Sequence, residues 1–300
     1  MTAARIDDVK RILVVGAGQM GAQIAMQAAL HGYAVTLNDL SRALLEKAVS
    51  GNRGHLERRV QKGQMTGAAM EAALDRLWLE PDLDRAAGDA DFVIEAITER
   101  LEPKKECFAR LDRAAPRHAV LATNSSTLGN SLLAPATSRP ELCVNMHFFY
   151  PPLVMRLVEV VKGQWTAEET LQTTAALVRR IGREPVVLRK ELPGFLVNRV
   201  LRALVNEAYF LLEQGVASFS EIDRAVELGL NFPMGPFRLG DLSGLDIGYN
   251  ARLETYAATK DPKDRPPRAL ELRVKRGDLG RKTGRGFYDY SKTPPEPTAD

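Results

Sequence analysis

Three observations predict an α/β chain: a mostly parallel, doubly wound sheet followed by an all-helical C-terminal domain. Short apolar runs alternate with helical patterns from Lys10 to about Leu188, the rhythm of an open sheet with helices on both faces. The first run, ending at Val15, leads straight into the glycine-rich turn Gly16-Ala17-Gly18-Gln19-Met20-Gly21. After Glu191 the texture changes: Pro193 can start a helix, apolar residues recur at helical spacing through Leu212, and no convincing strand remains.

The elements follow in order. Strands are expected near 10–15, 34–38, 91–96, 118–123, 141–147, 155–161 and 185–189. Met20 to Leu30 reads as a helix. The charged stretch Ser41 to Arg76, interrupted by glycines at 51, 54, 63 and 67, reads as two helices. Beyond Gly215, a stop signal, helical patterns recur near 219–229, 236–258 and 265–276, and a Pro-rich tail from Thr293 to Asp300 is expected to fray. The division expected is 1–190 for a nucleotide-binding domain and 191–300 for a helical domain. By analogy with other folds, the second supplies one wall of a substrate cleft and a subunit interface.

Composition excludes several classes. A hydrophobic content of 45% over 300 residues is enough for a packed core, and 41 basic against 38 acidic side chains give a net charge of only +3, which argues against nucleic acid as partner. No apolar run approaches the roughly 20 residues that span a bilayer, and the N-terminus is polar, so a cytoplasmic protein is expected. Cys107 and Cys143 lack CxxC spacing, which supports neither a disulfide framework nor a zinc cluster, and no metal is expected.

The glycine turn carries the first chemical reading. Gly16 permits a tight turn, Gly18 lets a pyrophosphate approach the main chain, and Gly21 lets helix and strand pack closely, so the whole elbow, Gln19 and Met20 included, reads as a Rossmann-type dinucleotide site. The helix N-terminus offers unpaired N–H groups and partial positive charge to phosphates. Asp39, closing the run Ala34 to Leu37, would accept from the ribose hydroxyls and repel a 2′-phosphate, which favours NAD over NADP. Arg42 reads as a solvated residue on the next helix.

A second constellation lies in Asn124-Ser125-Ser126-Thr127, His147-Phe148-Phe149-Tyr150-Pro151-Pro152 and Leu157 to Val161. Two prolines mark a chain reversal between His147 and Glu159, and a reversal centred on Leu153 sets those two positions opposite each other. A carboxylate inside an apolar run needs a partner, because burying it alone is costly, and His147 is the candidate. Oxidising an alcohol requires loss of the hydroxyl proton as hydride leaves the carbon, a task suited to an imidazole. Glu159 would hold the ring in one tautomer, with Ser126 and Asn198 fixing oxygen and ring. On these residues alone, a histidine–glutamate pair that merely satisfies itself in a core stays open. His31, His55 and His118 sit in polar segments and read as ordinary histidines.

These motifs, in this order, resemble the L-3-hydroxyacyl-CoA dehydrogenases over nearly the whole chain: GAGQMG, NSST, HFF-x-P, LVEVV, PGFLVNR, FPMGPF and GRKTGRGFY. The resemblance implies NAD-dependent, reversible oxidation of an L-3-hydroxyacyl-CoA, a step of β-oxidation in fatty acid metabolism, by a homodimer paired through its helical domain. It carries the catalytic roles to Ser126, His147, Glu159 and Asn198. It implies cofactor contacts at Asp39, Glu99, Lys104, Ser126 and Lys282, and coenzyme A contacts at Lys62 and Ser126, with Arg58 and Arg59 suited to the phosphates. The chain departs from the family at Tyr150, where Asn is usual, and at His55, where Ser is usual. The alternatives are a dehydrogenase of a free hydroxy acid such as gulonate or carnitine, and a non-catalytic NAD-binding protein.

Overall fold

The computed structural model describes residues 5–299. Strand β1 (Arg11–Val15) leads to helix α1 (Gln19–Leu30) and strand β2 (Ala34–Asn38), after which α2 (Arg42–Gln61) and α3 (Gly67–Leu74) cross to the short strand β3 (Leu77–Leu79). Then come α4 (Leu83–Ala87), β4 (Phe92–Glu95), α5 (Leu101–Ala114), β5 (Val120–Thr123), β6 (Cys143–Phe148), β7 (Leu157–Val161), α6 (Glu168–Arg180) and β8 (Glu184–Leu188). The strands form one sheet in the order β3-β2-β1-β4-β5-β6-β7-β8. Every neighbouring pair is parallel except β6 and β7.

The strands are buried on both faces, which explains why they read as unbroken apolar runs. Along β1, Ile12 and Val14 face a core shared with α1, whereas Leu13 and Val15 face a second core with Phe108 and Leu111 of α5. Strand β3 lies outside the expected set. At three residues, with Trp78 half-exposed on the sheet edge, it carries too short a pattern to recognise, and its pairing is dictated by the free edge of β2. Gly51 and Gly54 lie inside α2, where Leu45, Asn52 and Leu56 anchor the buried face. The break falls at Gly63, whose φ of +66° turns the chain out of the helix.

The second compact unit begins at Val197, six residues beyond the boundary read from the sequence. Residues 191–196 are tied to the first unit by Ser131, whose N–H and hydroxyl donate to Glu191 at 3.2 Å, and by the Leu196 N–H, which donates to Glu159 at 3.1 Å. The unit contains α7 (Val197–Glu213), α8 (Phe219–Leu230), α9 (Pro236–Ser243), α10 (Leu245–Thr259) and α11 (Arg268–Arg276), then a ribbon of β9 (Tyr288–Asp289) and β10 (Glu296–Pro297). Gly244, at φ +98°, splits the expected 236–258 helix into α9 and α10. The ribbon corrects two expectations. The unit is not wholly helical, and the tail is held through residue 298, where the Thr298 N–H donates to the Phe287 carbonyl at 2.9 Å.

The core of this unit is aromatic: Phe219, Phe237 and Phe287 are buried, with the Phe219 and Phe287 ring centroids 5.3 Å apart edge to face. Asp241 sits beneath it, accepting from the N–H groups of Phe287 and Tyr288 at 2.9 Å and from the Tyr290 hydroxyl at 3.1 Å. Among the described residues, no helix is long and apolar enough to cross a membrane.

Candidate active site

The glycine elbow at the C-terminal end of β1 has a geometry that only glycine permits. Gly16 has φ +105°, and a Cβ there would lie 2.6 Å from the Ala96 carbonyl oxygen. A Cβ on Gly21 would collide with the Gly16 carbonyl oxygen, so α1 can pack on β1 only without one. At Gly18 a Cβ would meet nothing within 4 Å, which leaves the side of the elbow open to a ligand. That side faces a cleft of about 830 Å³ lined by Gly16, Gly18, Met20, Asp39, Ala96 and Ile97 among others. Asp39 is held at its rim, accepting from Ala17 N–H at 2.6 Å and Leu40 N–H at 2.7 Å. A bare backbone, helix-end N–H groups and a fixed carboxylate suit the pyrophosphate and ribose of a dinucleotide.

Antiparallel pairing of β6 with β7 places His147 directly opposite Glu159. Both are sealed from solvent, at 3% and 0% exposure. His147 Nδ1 lies 2.9 Å from Glu159 Oε2, and Nε2 lies 3.0 Å from the Ser126 hydroxyl. A nitrogen facing a carboxylate carries the proton, so Nδ1–H donates to Glu159 and Nε2 accepts from Ser126. The rings of Phe149 and Phe195 flank the imidazole at centroid distances of 4.7 and 5.5 Å. Tyr150, next in the reversal, is exposed.

Glu99 organises the loop that carries Ser126. One of its oxygens accepts from the Ser125 hydroxyl at 2.5 Å, the Ser126 and Thr127 N–H groups at 3.0 Å and the Thr127 hydroxyl at 2.9 Å. Burial opposes its ionisation, yet the Ser125 hydroxyl, the Lys104 ammonium and Thr127 together hold the Glu99 carboxyl below the usual range. Lys104 is itself only 1% exposed, paired with Glu95 at 2.7 Å and Glu99 at 3.4 Å. Glu95 escaped the sequence reading although the signal was present: a carboxylate closing the apolar strand FVIE demands a buried partner as much as Glu159 does.

The remaining candidates, Lys62, Asn198 and Lys282, lie on other elements. Lys62 caps the C-terminus of α2 and is exposed. Of its basic neighbours, Arg59 donates to the Leu153 carbonyl, and Arg58 donates to Nδ1 of His55 at 2.6 Å. Burial, then the Arg58 and Arg59 charges, push the His55 pKa down. Asn198 is the second residue of α7, and Lys282, also in the C-terminal unit, gives Asp246 two bonds at 2.5 and 2.6 Å.

A glycine elbow feeding a doubly wound sheet, with a buried imidazole–carboxylate pair on that sheet, defines the class: an NAD-binding oxidoreductase. Residues 11–192 match the family "3-hydroxyacyl-CoA dehydrogenase, NAD binding domain" and residues 194–290 match "3-hydroxyacyl-CoA dehydrogenase, C-terminal domain". The chain belongs to the 3-hydroxyacyl-CoA dehydrogenase family. It is 40% identical over 285 residues to a probable 3-hydroxybutyryl-CoA dehydrogenase of Bacillus subtilis, covering 95% of this chain and 99% of that one. An (S)-3-hydroxybutyryl-CoA dehydrogenase structure from Ralstonia eutropha superposes with TM-score 0.86 at 38% identity, covering 95% of this chain and all of that one. A 3-hydroxybutyryl-CoA dehydrogenase structure from Escherichia coli superposes with TM-score 0.89 at 39% identity over 97% of this chain, which spans only 61% of that longer one.

Proposed function

We propose that this chain interconverts an L-3-hydroxyacyl-CoA and the corresponding 3-ketoacyl-CoA with NAD. The observation that carries the reading is the buried His147, held by Glu159 on one nitrogen and by Ser126 on the other. NAD, when bound, supplies the two-electron acceptor for the carbinol carbon; the elbow and Asp39 are the residues that would hold it. His147 Nε2 is the acceptor-bearing nitrogen, so it takes the substrate hydroxyl proton during oxidation and returns it during reduction. Glu159 keeps the opposite nitrogen protonated and balances the charge the ring acquires. The Ser126 hydroxyl, within reach of the same nitrogen, orients the substrate oxygen. The Phe149 and Phe195 rings keep water from the imidazole. Asn198, in the motif PGFLVNR, is the fourth residue that the family resemblance proposes for the reaction.

On the acyl carrier side, exposed Lys62 is the side chain proposed to meet coenzyme A. A second reading, a free hydroxy acid such as gulonate or carnitine, draws on Arg59 being spent on the Leu153 carbonyl and Arg58 on His55 rather than offered to phosphates. Pairing of two copies through the C-terminal unit is supported by its exposed Val200, Phe210, Leu228 and Leu230.

The test is NADH formation from 3-hydroxybutyryl-CoA, run beside free 3-hydroxybutyrate and carnitine. Only the thioester is expected to turn over well, and comparable rates on a free acid would transfer the assignment to the second reading. In His147→Gln, kcat is expected to fall about a thousandfold, with the NAD dissociation constant unchanged within about twofold. Near-normal turnover in that variant would remove His147 from the chemistry.

A further inference from the structure

We propose that Glu95 is a positioning residue: a buried anchor that fixes Lys104 and, through it, sets Glu99 and Ser126 against His147. The inference rests on the dehydrogenase reading above and adds to it a residue that touches neither substrate nor imidazole.

The carboxylate of Glu95 is fully buried at the C-terminal end of the central strand β4. One oxygen accepts from Ile97 N–H and from the Lys104 ammonium, both at 2.7 Å, and the other accepts from the Thr123 hydroxyl at 2.7 Å. A carboxylate and an ammonium withdrawn from water together gain little stability over apolar side chains of similar size. What the pair does secure is position. Lys104, pinned by Glu95, lies 3.4 Å from Glu99 Oε2, while the other Glu99 oxygen gathers the Ser125–Thr127 turn. Ser126 in that turn reaches His147 Nε2 at 3.0 Å. A second route begins on the Glu95 backbone: its carbonyl accepts from Asn124 N–H at 2.8 Å, and the Asn124 side chain accepts from the N–H of Phe148, the residue after His147.

The network is also placed to act on the cofactor. Ile97, Thr98 and Pro103, which bracket Glu99 in sequence, line the cleft at the glycine elbow. Two carboxylates around one ammonium leave a net charge of about −1 behind this wall of the cleft, counting Glu99 as ionised. Such a charge favours the oxidised, cationic nicotinamide over the reduced, neutral one.

Three measurements on the full chain test the proposal. In Glu95→Gln, which keeps the shape and removes the charge, calorimetry is expected to show NAD binding about tenfold weaker and NADH binding changed by less than about twofold. Turnover should fall about tenfold with KM for the acyl substrate nearly constant. In a Glu99→Gln background the same substitution should cost less than about twofold more, because both residues act through one chain. Equal weakening of both cofactor forms, additive losses in the cycle, or unchanged kcat would each overturn it. If Glu95→Gln does not fold, the neutral exchange Glu95→Gln with Lys104→Gln removes the unpaired buried charge. That pair should fold and still turn over about tenfold slower, and wild-type turnover in it would overturn the proposal. A wild-type chain inactive on every hydroxyacyl-CoA would refute the dehydrogenase reading instead, while the NAD-to-NADH affinity ratio would still judge Glu95.

Discussion

At the scale of single residues, the chemistry depends on which proton sits on which nitrogen. Glu159 has no exposure and accepts from both the His147 ring and the Leu196 N–H. Glu159→Gln preserves the volume but presents an amide that can donate, so Nδ1 turns acceptor and the proton moves to Nε2, the nitrogen that must receive the substrate's. Turnover is expected to fall about a hundredfold or more, as when a triad carboxylate is neutralised, and the pH–rate profile should shift. A profile superimposable on wild type would show that the carboxylate does not set the ring's state. Glu99 works differently. Because its carboxyl is held below the ordinary range, its contribution is complete above that range and is lost only as pH falls through the lowered value, so the Ser126 turn keeps its acceptor at neutral and mildly acidic pH. The residue types proposed for the site stand out locally in the sequence: a histidine ending an apolar run, a glutamate inside one, a serine two positions after an asparagine. Glu95 stands out the same way, but its partner Lys104 is nine positions on in a charged helix, where no local pattern marks it as buried.

At the scale of elements, the β6–β7 hairpin shows how far local pattern reaches. The prolines mark the reversal, and the period-two geometry of strands brings His147 and Glu159 onto one face once the pairing is set. The C-terminal unit shows where it stops. Its helices were legible from apolar spacing, but the loop carrying GRKTGRGF turns out to be organised around one buried carboxylate. A Cβ on Gly280 or Gly286 would run into Asp241, and Asp241 binds the N–H groups of Phe287 and Tyr288. Burial pushes the Asp241 pKa up despite those bonds. Asp241→Ala would strand two buried N–H groups and a tyrosine hydroxyl, and should cost about 3 kcal/mol. Denaturant unfolding followed by fluorescence of the full chain checks this; a loss under about 1 kcal/mol would mean that water or a neighbour replaces the carboxylate.

At the scale of the whole chain, the first unit contains the elbow, the cleft and the His147 pair, so its stability and its cofactor binding are linked. At NAD concentrations about 100 times the dissociation constant, binding should add about 2.7 kcal/mol of stability, seen as a rise in melting temperature. In Gly21→Ala the added methyl falls on the Gly16 carbonyl oxygen, so that rise should vanish. A full NAD-dependent shift in the variant would show that the elbow does not hold the dinucleotide.

What could be read from residues alone is the part of this protein governed by short-range rules. Backbone freedom at Gly16, the absence of a side chain at Gly21 where α1 meets the elbow, the alternation of strands with helices and the residue types opposed across the Pro151-Pro152 reversal all follow from neighbours a few positions apart. Only the folded chain decides that Leu77–Leu79 adds an edge strand, and that Glu95, Lys104 and Glu99 converge beneath the Ser126 turn. Those outcomes depend on burial and on charges brought together from distant positions, and the cost of leaving such charges unpaired is incurred only once water has been excluded from around them.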